Sequence, residues 1–312
     1  MSLAPLTQEI CLVAGPTASG KSALGLQLAK RWNGEIINMD SQQCYAGLVV
    51  GTGKPGPREG GVAHWLYEEV GPGEWMSAGE FARRAEQCIS EMRKRGKTPV
   101  LVGGTGLYIR ALLEGLDPLP ARDEKIRARL EQERQEEGLA ALYRRLADID
   151  PASVQRISPQ DAVRIVRSLE LWELTGTAPS LLLRKGRAER LCYSTRTYCL
   201  TPDRELLREA IRHRVHEMFR GGWVEEVRGL LHRQQDPGAW PNKPIGYLEI
   251  AEALQGRRSM EEVLETIVRK TQQYAKRQET FFRGLFANPA YRQSGSSLQF
   301  LTSFGTEVPP ET

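Results

Sequence analysis

The sequence predicts an α/β fold, with a P-loop NTPase-like parallel sheet flanked by helices and an all-helical insertion domain. An apolar run over residues 10–14 ends in a glycine-rich turn, and a helical pattern and a second apolar run follow it. This strand–helix–strand order predicts parallel strands joined by right-handed crossovers. A further apolar run over 98–102 also ends in glycines. Residues 117–190 are helix-forming and strongly charged, which indicates a helical insertion.

The elements of the first half follow from the spacing of apolar residues. Leu24, Leu28 and Trp32 recur at four-residue spacing, which predicts a helix after the first turn. Later patterns predict a strand over 35–40, a glycine- and proline-rich surface loop over 46–61, a helix over 77–95 and a strand over 98–102. Because two strands run into glycine-rich turns, we expect both turns at the carboxyl edge of the sheet, where open α/β sheets bind ligands.

The second half returns to the sheet and then becomes helical. Residues 193–200 have β character, and Thr201-Pro202 matches an N-cap followed by proline at the first helical position. Helices are predicted up to about residue 285, and a Ser-, Gly- and Pro-rich mobile tail follows them. The predicted domains are a first core segment over 1–116, a helical insertion over 117–192, a second core segment over 193–287 and the flexible tail over 288–312.

Composition limits the classes of function. The chain has 312 residues, of which 40% are hydrophobic and 26% are charged, so it is neither wholly disordered nor a disulfide miniprotein. Its 5 cysteines are scattered without CxxC spacing, which argues against a zinc site and predicts a reducing, cytoplasmic location. Apolar runs stay below the roughly 18 residues of a membrane span, and we expect a monomer without membrane contact. The net charge of +4 is compatible with a polyanionic partner.

Residues 15–22 carry the most specific motif, GPTASGKS, which matches GxxxxGK[ST] between a strand and a helix. Glycines let backbone N–H groups curl around a phosphate, and the helix N-terminus adds partial positive charge. Lys21 is expected to contact the terminal phosphate, and the Ser22 hydroxyl is expected to bind Mg²⁺. The candidate diphosphate- or nucleotide-binding residues are therefore Gly15, Pro16, Thr17, Ala18, Ser19, Gly20, Lys21 and Ser22. The motif predicts a diphosphate or triphosphate ligand without fixing the reaction.

Two further side chains fall at the same predicted edge. Asp40 ends the second strand, and it is compatible with a carboxylate that holds Mg²⁺ through water, a general base, or a turn cap. Thr105 lies in the second glycine-rich turn, where it suits either a ligand contact or ordinary turn chemistry. His213 and His216 lie three apart without Cys or carboxylate partners, which does not predict a metal site.

Several segments together resemble one family. GPTASGKS, NMDSQQCY, GTGKP, LVGGTGLYIRALLEGL, IGY and YAKRQ occur here in the order found in tRNA dimethylallyltransferases, also called tRNA isopentenyltransferases. The similarity runs from about residue 10 to residue 285, which is nearly the whole chain. Each piece alone is weak, whereas the ordered set is highly specific.

The resemblance implies prenyl transfer. The phosphate loop would hold the diphosphate of dimethylallyl diphosphate with Mg²⁺, and the exocyclic amine of the adenine 3′-adjacent to the tRNA anticodon would attack the prenyl carbon. By the same resemblance, Asp40 would be the general base, Thr105 would line the reaction channel, and Arg214 would neutralise the leaving diphosphate. The insertion would clasp the anticodon stem-loop. The tRNA-binding residues expected from the family are Asp40, Ser41, Gln42, Gln43, Arg164, Arg167, Gly246 and Tyr247.

Three positions depart from the family pattern, and two other functions compete. Ala46, Leu248 and Gln272 stand where the family commonly has a basic residue, and each lost phosphate contact would lower the salt dependence of tRNA binding by about one unit. The first alternative is a P-loop kinase of a nucleotide or small metabolite. The second is a nucleotide-dependent RNA-binding switch without prenyl chemistry.

Overall fold

The structure, a computed structural model, describes residues 9–71, 73–117, 119–183, 192–240, 243–293 and 296–304. The chain divides into two compact units, one formed by Met1–Gly115 with Glu189–Thr312 and the other by Leu116–Ala188. The second unit covers the region in which the sequence predicts a helical insertion over 117–192, of which residues 184–191 lie outside the described residues.

The first unit is built on a parallel sheet of six strands. In chain order these are β1 (Glu9–Ala14), β2 (Gly34–Asn38), β3 (His64–Trp65), β4 (Thr98–Gly103), β5 (Ser194–Leu200) and β6 (Ser297–Leu301). Their order across the sheet is β3-β2-β4-β1-β5-β6, with every neighbouring pair parallel. The two strands that end in glycine-rich turns, β1 and β4, are therefore adjacent. Because their carboxyl ends share one edge, the two turns lie side by side.

Both faces of the sheet are covered, which explains the continuous apolar runs of the strands. Along β1, Ile10 and Leu12 pack in the larger hydrophobic cluster, whereas Cys11 and Val13 pack in a second cluster on the other face. The α/β prediction, with a parallel sheet flanked by helices, is confirmed. The helices of this unit are α1 (Lys21–Arg31), α2 (Ala78–Lys94), α3 (Gly106–Glu114), α9 (Arg204–Arg220), α10 (Trp223–His232), α11 (Tyr247–Leu254) and α12 (Met260–Phe286), where α4 to α8 belong to the second unit.

Two expectations for the second half of the chain are wrong. Thr201-Pro202 does not begin a helix, because α9 begins at Arg204 and its N-cap is Asp203, whose carboxylate accepts from the N–H groups of Glu205 and Leu206. The carboxylate directly after the proline offers this first turn a stronger acceptor than a threonine hydroxyl.

The tail predicted over 288–312 contains regular structure up to residue 301. A 3₁₀ turn covers Pro289–Arg292, and β6 pairs in parallel with β5 over Ser297–Leu301. An edge strand obtains its backbone hydrogen bonds from one neighbour and needs little apolar content, so its composition resembles that of a loop. Residues 305–312 of the predicted tail lie outside the described residues.

Within residues 119–183, the regular elements of the second unit are all helical. It contains α4 (Glu124–Glu137), α5 (Leu139–Ile149), α6 (Pro151–Val154), α7 (Ala162–Thr175) and α8 (Pro179–Leu182). Its own hydrophobic core consists of Leu130, Leu142, Leu146, Ile165, Val166 and Leu169. Beside this core, the fully buried carboxylate of Glu170 accepts hydrogen bonds from the Asp123 backbone and from the side chains of Arg127 and Arg167.

Over the described ranges, no helix combines the length and the apolar character that crossing a membrane requires.

Candidate active site

The segment that matches the phosphate-binding motif joins β1 to α1. Gly20 caps the helix with φ of 84°, a left-handed conformation that favours glycine. The backbone hydrogen bonds of α1 begin with Leu24 N–H to the Gly20 carbonyl at 3.2 Å, so the N–H groups of Lys21 and Ser22 have no acceptor within the helix. Ser19 adds a buried hydroxyl that has no hydrogen-bond partner within the described part of the chain. These donors form a cradle suited to an anion.

The second glycine-rich turn fixes the residues that follow β2. A Cβ at Gly103 would lie 2.2 Å from the carbonyl carbon of Met39, so only glycine allows this close approach. Thr105 N–H donates to the Met39 carbonyl at 3.0 Å, and the Thr105 hydroxyl accepts from Ser41 N–H at 2.9 Å. The predicted pair Asp40 and Thr105 is thereby held together, because both backbone contacts flank Asp40.

One side chain of α12 links the two turns. The Gln278 side-chain carbonyl accepts from Thr17 N–H at 2.9 Å, and its amide donates to the Gly104 carbonyl at 2.9 Å. A Cβ at Gly104 would lie 2.2 Å from Gln278 Nε2, so this turn also requires glycine for contact. Gln278 therefore sets the spacing between the phosphate loop and the turn that contains Thr105.

A cavity of about 300 Å³ opens beside these turns. Four of the predicted site residues reach it, namely Thr17, Asp40, Gln42 and Arg214. Its lining combines charged, polar and apolar residues. It comprises Thr17, Asp40, Gln42, Gly51, Thr52, Arg214, Val215, Met218, Trp223, Lys243, Pro244, Ile245, Thr271, Tyr274 and Arg277. A cavity with convergent charges and an apolar wall suits a ligand that has one anionic end and one hydrocarbon end.

The charges at this site are close enough to perturb one another. Burial lowers the pKa of Lys21 to about 8. The negative charge of Asp40 opposes this change, whereas the positive charge of Arg214 adds to it. Burial also lowers the pKa of Arg214, and Asp40 opposes that change. Lys21 donates to the Pro16 carbonyl at 3.0 Å. Two half-buried cations near one carboxylate favour the binding of a multiply charged anion.

Asp40 lines the cavity, and one of its two carboxylate oxygens is bound by the backbone. Oδ1 accepts from Gln42 N–H at 2.9 Å, and the described residues offer no hydrogen bond to Oδ2. Tyr274 lies close enough to be affected by this carboxylate. Burial and the negative charge of Asp40 both raise the pKa of the Tyr274 hydroxyl. A carboxylate that is oriented by one hydrogen bond and has an available oxygen can accept a proton from a bound nucleophile.

Among the expected tRNA contacts in the first unit, Tyr247 is corrected by the structure. Its side chain is 0% exposed, and its hydroxyl donates to Glu226 Oε1 at 2.6 Å. Gly246 precedes it with φ of 99°, and a Cβ there would lie 2.2 Å from Trp223. The IGY segment therefore packs inside the unit, and the Tyr247 side chain is not accessible to a nucleic acid.

The polar residues after Asp40 divide between the cavity and the backbone. Gln42 lines the cavity and donates to the Ser41 hydroxyl at 3.4 Å. The Gln43 amide instead donates to the carbonyls of Thr52 and Gly53, each at 3.1 Å. Gln42 is thus the member of this group that lines the cavity, whereas the Gln43 amide group binds the backbone of the neighbouring loop.

The two arginines of the second unit differ in their contacts. The Arg164 side chain is 69% exposed, and its Nε lies 3.5 Å from Asp161. The Arg167 side chain is 27% exposed and donates to buried Glu170 at 2.8 Å and to the Pro120 carbonyl at 2.7 Å. Arg164 is available to a phosphate, whereas Arg167 already neutralises a buried carboxylate, which corrects the expectation that it serves chiefly as a phosphate contact.

Sequence reasoning missed several residues at this site. Gln278 and Tyr274 lie in the YAKRQ segment, where the repeated four-residue spacing of one helix face was the available signal. Trp223 and Lys243 line the cavity without any local motif. These residues reach the site only through the packing of distant helices, which the sequence pattern does not specify.

Comparison with known proteins places the chain in a family. The sequence model of IPP transferase matches residues 43–285. A tRNA dimethylallyltransferase of Geobacter sulfurreducens is 43% identical over 276 residues, which cover 88% of this chain and 89% of the relative. The crystal structure of the full-length tRNA isopentenylpyrophosphate transferase of Bacillus halodurans is 34% identical, with a TM-score of 0.63 and coverage of 95% of this chain and 90% of that chain. A eukaryotic dimethylallyltransferase, captured in crystals acting on tRNA, is 27% identical, with a TM-score of 0.77. The match covers 95% of this chain and 74% of that chain. The chain therefore belongs to the IPP transferase family and is a member of the tRNA dimethylallyltransferases.

Proposed function

We propose that this protein transfers a dimethylallyl group from dimethylallyl diphosphate to the exocyclic amine of the adenine 3′-adjacent to the anticodon in tRNA, with release of diphosphate. The observation that carries the proposal is the cavity in which Asp40 and Arg214 share a lining with the apolar residues Val215, Met218 and Ile245. A prenyl diphosphate has the matching halves, one anionic and one hydrocarbon. The tRNA dimethylallyltransferases among the relatives support the same substrates.

The phosphate loop and its cations would bind the diphosphate and stabilise its departure. The N–H groups at the start of α1 and the side chains of Lys21 and Arg214 are the available donors. As the carbon–oxygen bond breaks, negative charge accumulates on the leaving diphosphate. Donors that are already oriented stabilise this charge without reorganising, which is the largest single contribution in many enzymes.

Asp40 would act on the nucleophile. The adenine amine forms the new carbon–nitrogen bond, and its extra proton then passes to the available Oδ2 of Asp40. Thr105 keeps Asp40 in place through the hydrogen bond from Ser41 N–H to its hydroxyl. An aromatic amine is a weak nucleophile, so a carboxylate within hydrogen-bond reach stabilises the positive charge that develops on nitrogen.

We propose Mg²⁺ as the cofactor of this site. The described residues contain no group of three His, Cys, Asp or Glu side chains arranged to hold a metal, so a cation here would take oxygen atoms from the substrate. Mg²⁺ is commonly bound in this way, through one or two protein oxygens and substrate phosphates. Ser22, at the start of α1, and Asp40, through water, would supply the protein oxygens. When bound, the ion would neutralise part of the diphosphate charge.

The tRNA would present its base from a single-stranded loop, where unstacking is inexpensive. Gln42, which lines the cavity, and its neighbour Ser41 would meet the base, and Arg164, an exposed arginine of the second unit, would contact a phosphate. We further propose that the enzyme acts in the cytoplasm as a monomer.

Mass spectrometry of the product tests the proposed function directly. The protein is incubated with Mg²⁺, unmodified tRNA and dimethylallyl diphosphate, and in a parallel reaction with ATP and candidate acceptors. We expect a five-carbon addition on one adenosine next to the anticodon. Phosphoryl transfer without prenylated adenosine would identify a P-loop kinase instead, and tRNA binding without either product would identify an RNA-binding switch.

A further inference from the structure

Glu226 of α10 binds the backbone of a neighbouring loop. Its Oε2 accepts from the N–H groups of Val49 and Val50 at 2.9 and 2.8 Å, and its Oε1 accepts from Gly51 N–H at 3.3 Å. The Tyr247 hydroxyl donates to the same Oε1 at 2.6 Å. One carboxylate thus satisfies three successive backbone N–H groups, which a surface loop could not satisfy within its own backbone.

The other side of this loop, residues 49–53, supports the cavity. Arg214 Nη2 lies 3.4 Å from the Thr52 carbonyl, and a Cβ at Gly53 would be 2.3 Å from the same Nη2. Gln43 donates to the carbonyls of Thr52 and Gly53. The guanidinium that we assign to the leaving diphosphate therefore rests on the backbone that Glu226 holds from the opposite side.

The contacts around Glu226 make this support rigid. Trp223 packs directly against the loop, since a Cβ at Gly51 would lie 2.0 Å from its Nε1. Tyr247, which is fully buried, packs edge-on against Trp223 with ring centroids 5.8 Å apart. The loop is consequently fixed to α10 and α11 through one carboxylate and two aromatic side chains.

We propose that Glu226 is a positioning residue, which holds the 49–53 loop so that its carbonyls direct Arg214 toward the diphosphate. The proposal rests on the proposed function only in its assignment of Arg214 to a diphosphate ligand. Glu226 does not line the cavity, so its effect on the reaction passes through the loop. When the carboxylate is lost, the three N–H groups need new partners and the loop moves, so that the long side chain of Arg214 loses its support.

The test compares Glu226→Ala and Glu226→Gln with a matched control, Glu225→Ala. The Glu225 side chain is 68% exposed and pairs with Arg228 on the same helix, so the control removes a charge without touching the loop. Steady-state kinetics on the full chain give kcat and KM for each substrate, and calorimetry gives the Kd for inorganic diphosphate. The calorimetry remains informative even if the wild-type protein transfers no prenyl group, which separates this proposal from the proposed function.

For Glu226→Ala we expect a loss of about tenfold or more in kcat/KM for dimethylallyl diphosphate and a comparable weakening of diphosphate binding, because small displacements at a reacting centre are costly. The KM for tRNA should stay within about twofold, and Glu226→Gln, which keeps one oxygen acceptor, should lose only about threefold. Glu225→Ala should match the wild type.

A double-mutant cycle with Arg214→Ala distinguishes positioning from a general structural role. If Glu226 acts through Arg214, Glu226→Ala in the Arg214→Ala background should cost less than about threefold, since neighbouring residues that act together are not additive. Equal losses in both backgrounds, or unchanged diphosphate binding in Glu226→Ala and Glu226→Gln, would overturn the proposal. Should Glu226→Ala fail to fold, the cycle is run with Glu226→Gln, whose loss of about threefold should vanish in the Arg214→Ala background; an unchanged threefold loss there would overturn the proposal.

Discussion

The side-chain carbonyl of Gln278 accepts a hydrogen bond from the backbone N–H of Thr17 at 2.9 Å, although 261 residues separate them in the chain. The same side chain donates to the Gly104 carbonyl at 2.9 Å. Gln278 is nearly fully buried, so its buried contact with Gly104 has no water as a ready substitute. The phosphate loop and the turn that orients Asp40 are consequently held in register by α12, a helix that is distant in sequence from both.

Replacing Gln278 tests this link. Gln278→Ala leaves the buried Gly104 carbonyl and the half-buried Thr17 N–H without partners, and the loss at the buried carbonyl should lower the free energy of unfolding by about 1–3 kcal/mol. Gln278→Glu keeps an acceptor for Thr17 N–H but places a carboxylate next to the phosphate loop, so its KM for dimethylallyl diphosphate should rise more than that of Gln278→Ala. Urea denaturation and steady-state kinetics measure the two effects. Gln273→Ala, at an exposed position of the same helix, serves as the control, and equal behaviour of the three variants would exclude the linking role.

The lowered pKa of Lys21 predicts a pH dependence of diphosphate binding. The pKa of about 8 in the folded protein means that Lys21 loses its charge as the pH rises through 8. Diphosphate affinity should therefore fall above pH 8, and Lys21→Arg should show a smaller decrease because arginine stays protonated. Calorimetric titration of both proteins between pH 7 and pH 9.5 gives the comparison, and parallel curves would contradict the assignment.

The lowered pKa of Lys21 also predicts how the free energy of unfolding changes with pH. The ordinary pKa of 10.5 lies above the folded value of about 8, so between these values the unfolded chain binds the proton that the folded chain has released. The Lys21 contribution should make the free energy of unfolding rise with pH across this window. Lys21→Met should remove this rise. Urea denaturation at several pH values between 8 and 10.5 gives the free energy of unfolding of both proteins, and a wild-type curve no steeper than that of Lys21→Met would contradict the prediction.

Arg164 and Arg167 should respond differently to removal. Arg164→Ala is expected to raise the tRNA KM and lower the salt slope of binding by about one unit, with little effect on stability, because its side chain is exposed. Arg167→Ala removes one of the donors to buried Glu170 and should lower the free energy of unfolding by about 1–3 kcal/mol.

Arg127→Ala is the matched control for this comparison, since Arg127 donates to the same oxygen of Glu170 at 2.9 Å. It should reproduce the stability loss of Arg167→Ala. If Arg167→Ala left the melting temperature unchanged while weakening tRNA binding as strongly as Arg164→Ala, Arg167 would be a phosphate contact after all.

The predictable part of the site was the part encoded locally. The spacing of Gly15, Gly20 and Lys21 fixes a phosphate loop within eight consecutive residues, and the apolar runs on each side fix its place between a strand and a helix. Asp40 and Thr105 were also predictable, because each follows a strand that ends at the same edge of a parallel sheet.

The remaining part depends on contacts between distant segments. Glu226 meets Val49 across 177 residues, and no local pattern distinguishes it from its exposed neighbour Glu225. Tyr247 belongs to a segment that resembles the family, which suggested a tRNA contact, yet its side chain is enclosed by Trp223 and Trp240. A motif therefore identifies Tyr247 as an important position, but only its burial in the folded structure shows that the side chain serves packing and does not contact a ligand.

The rate of the chemical step in Asp40→Asn tests the central claim most directly. Asparagine can still accept the hydrogen bond from Gln42 N–H but cannot take a proton from the adenine amine. In single-turnover reactions with enzyme-bound tRNA and saturating dimethylallyl diphosphate, we expect prenyl transfer to slow by about 10²-fold or more, with the tRNA Kd within about twofold of the wild type. A transfer rate near that of the wild-type enzyme would show that Asp40 is not the base and would contradict the account.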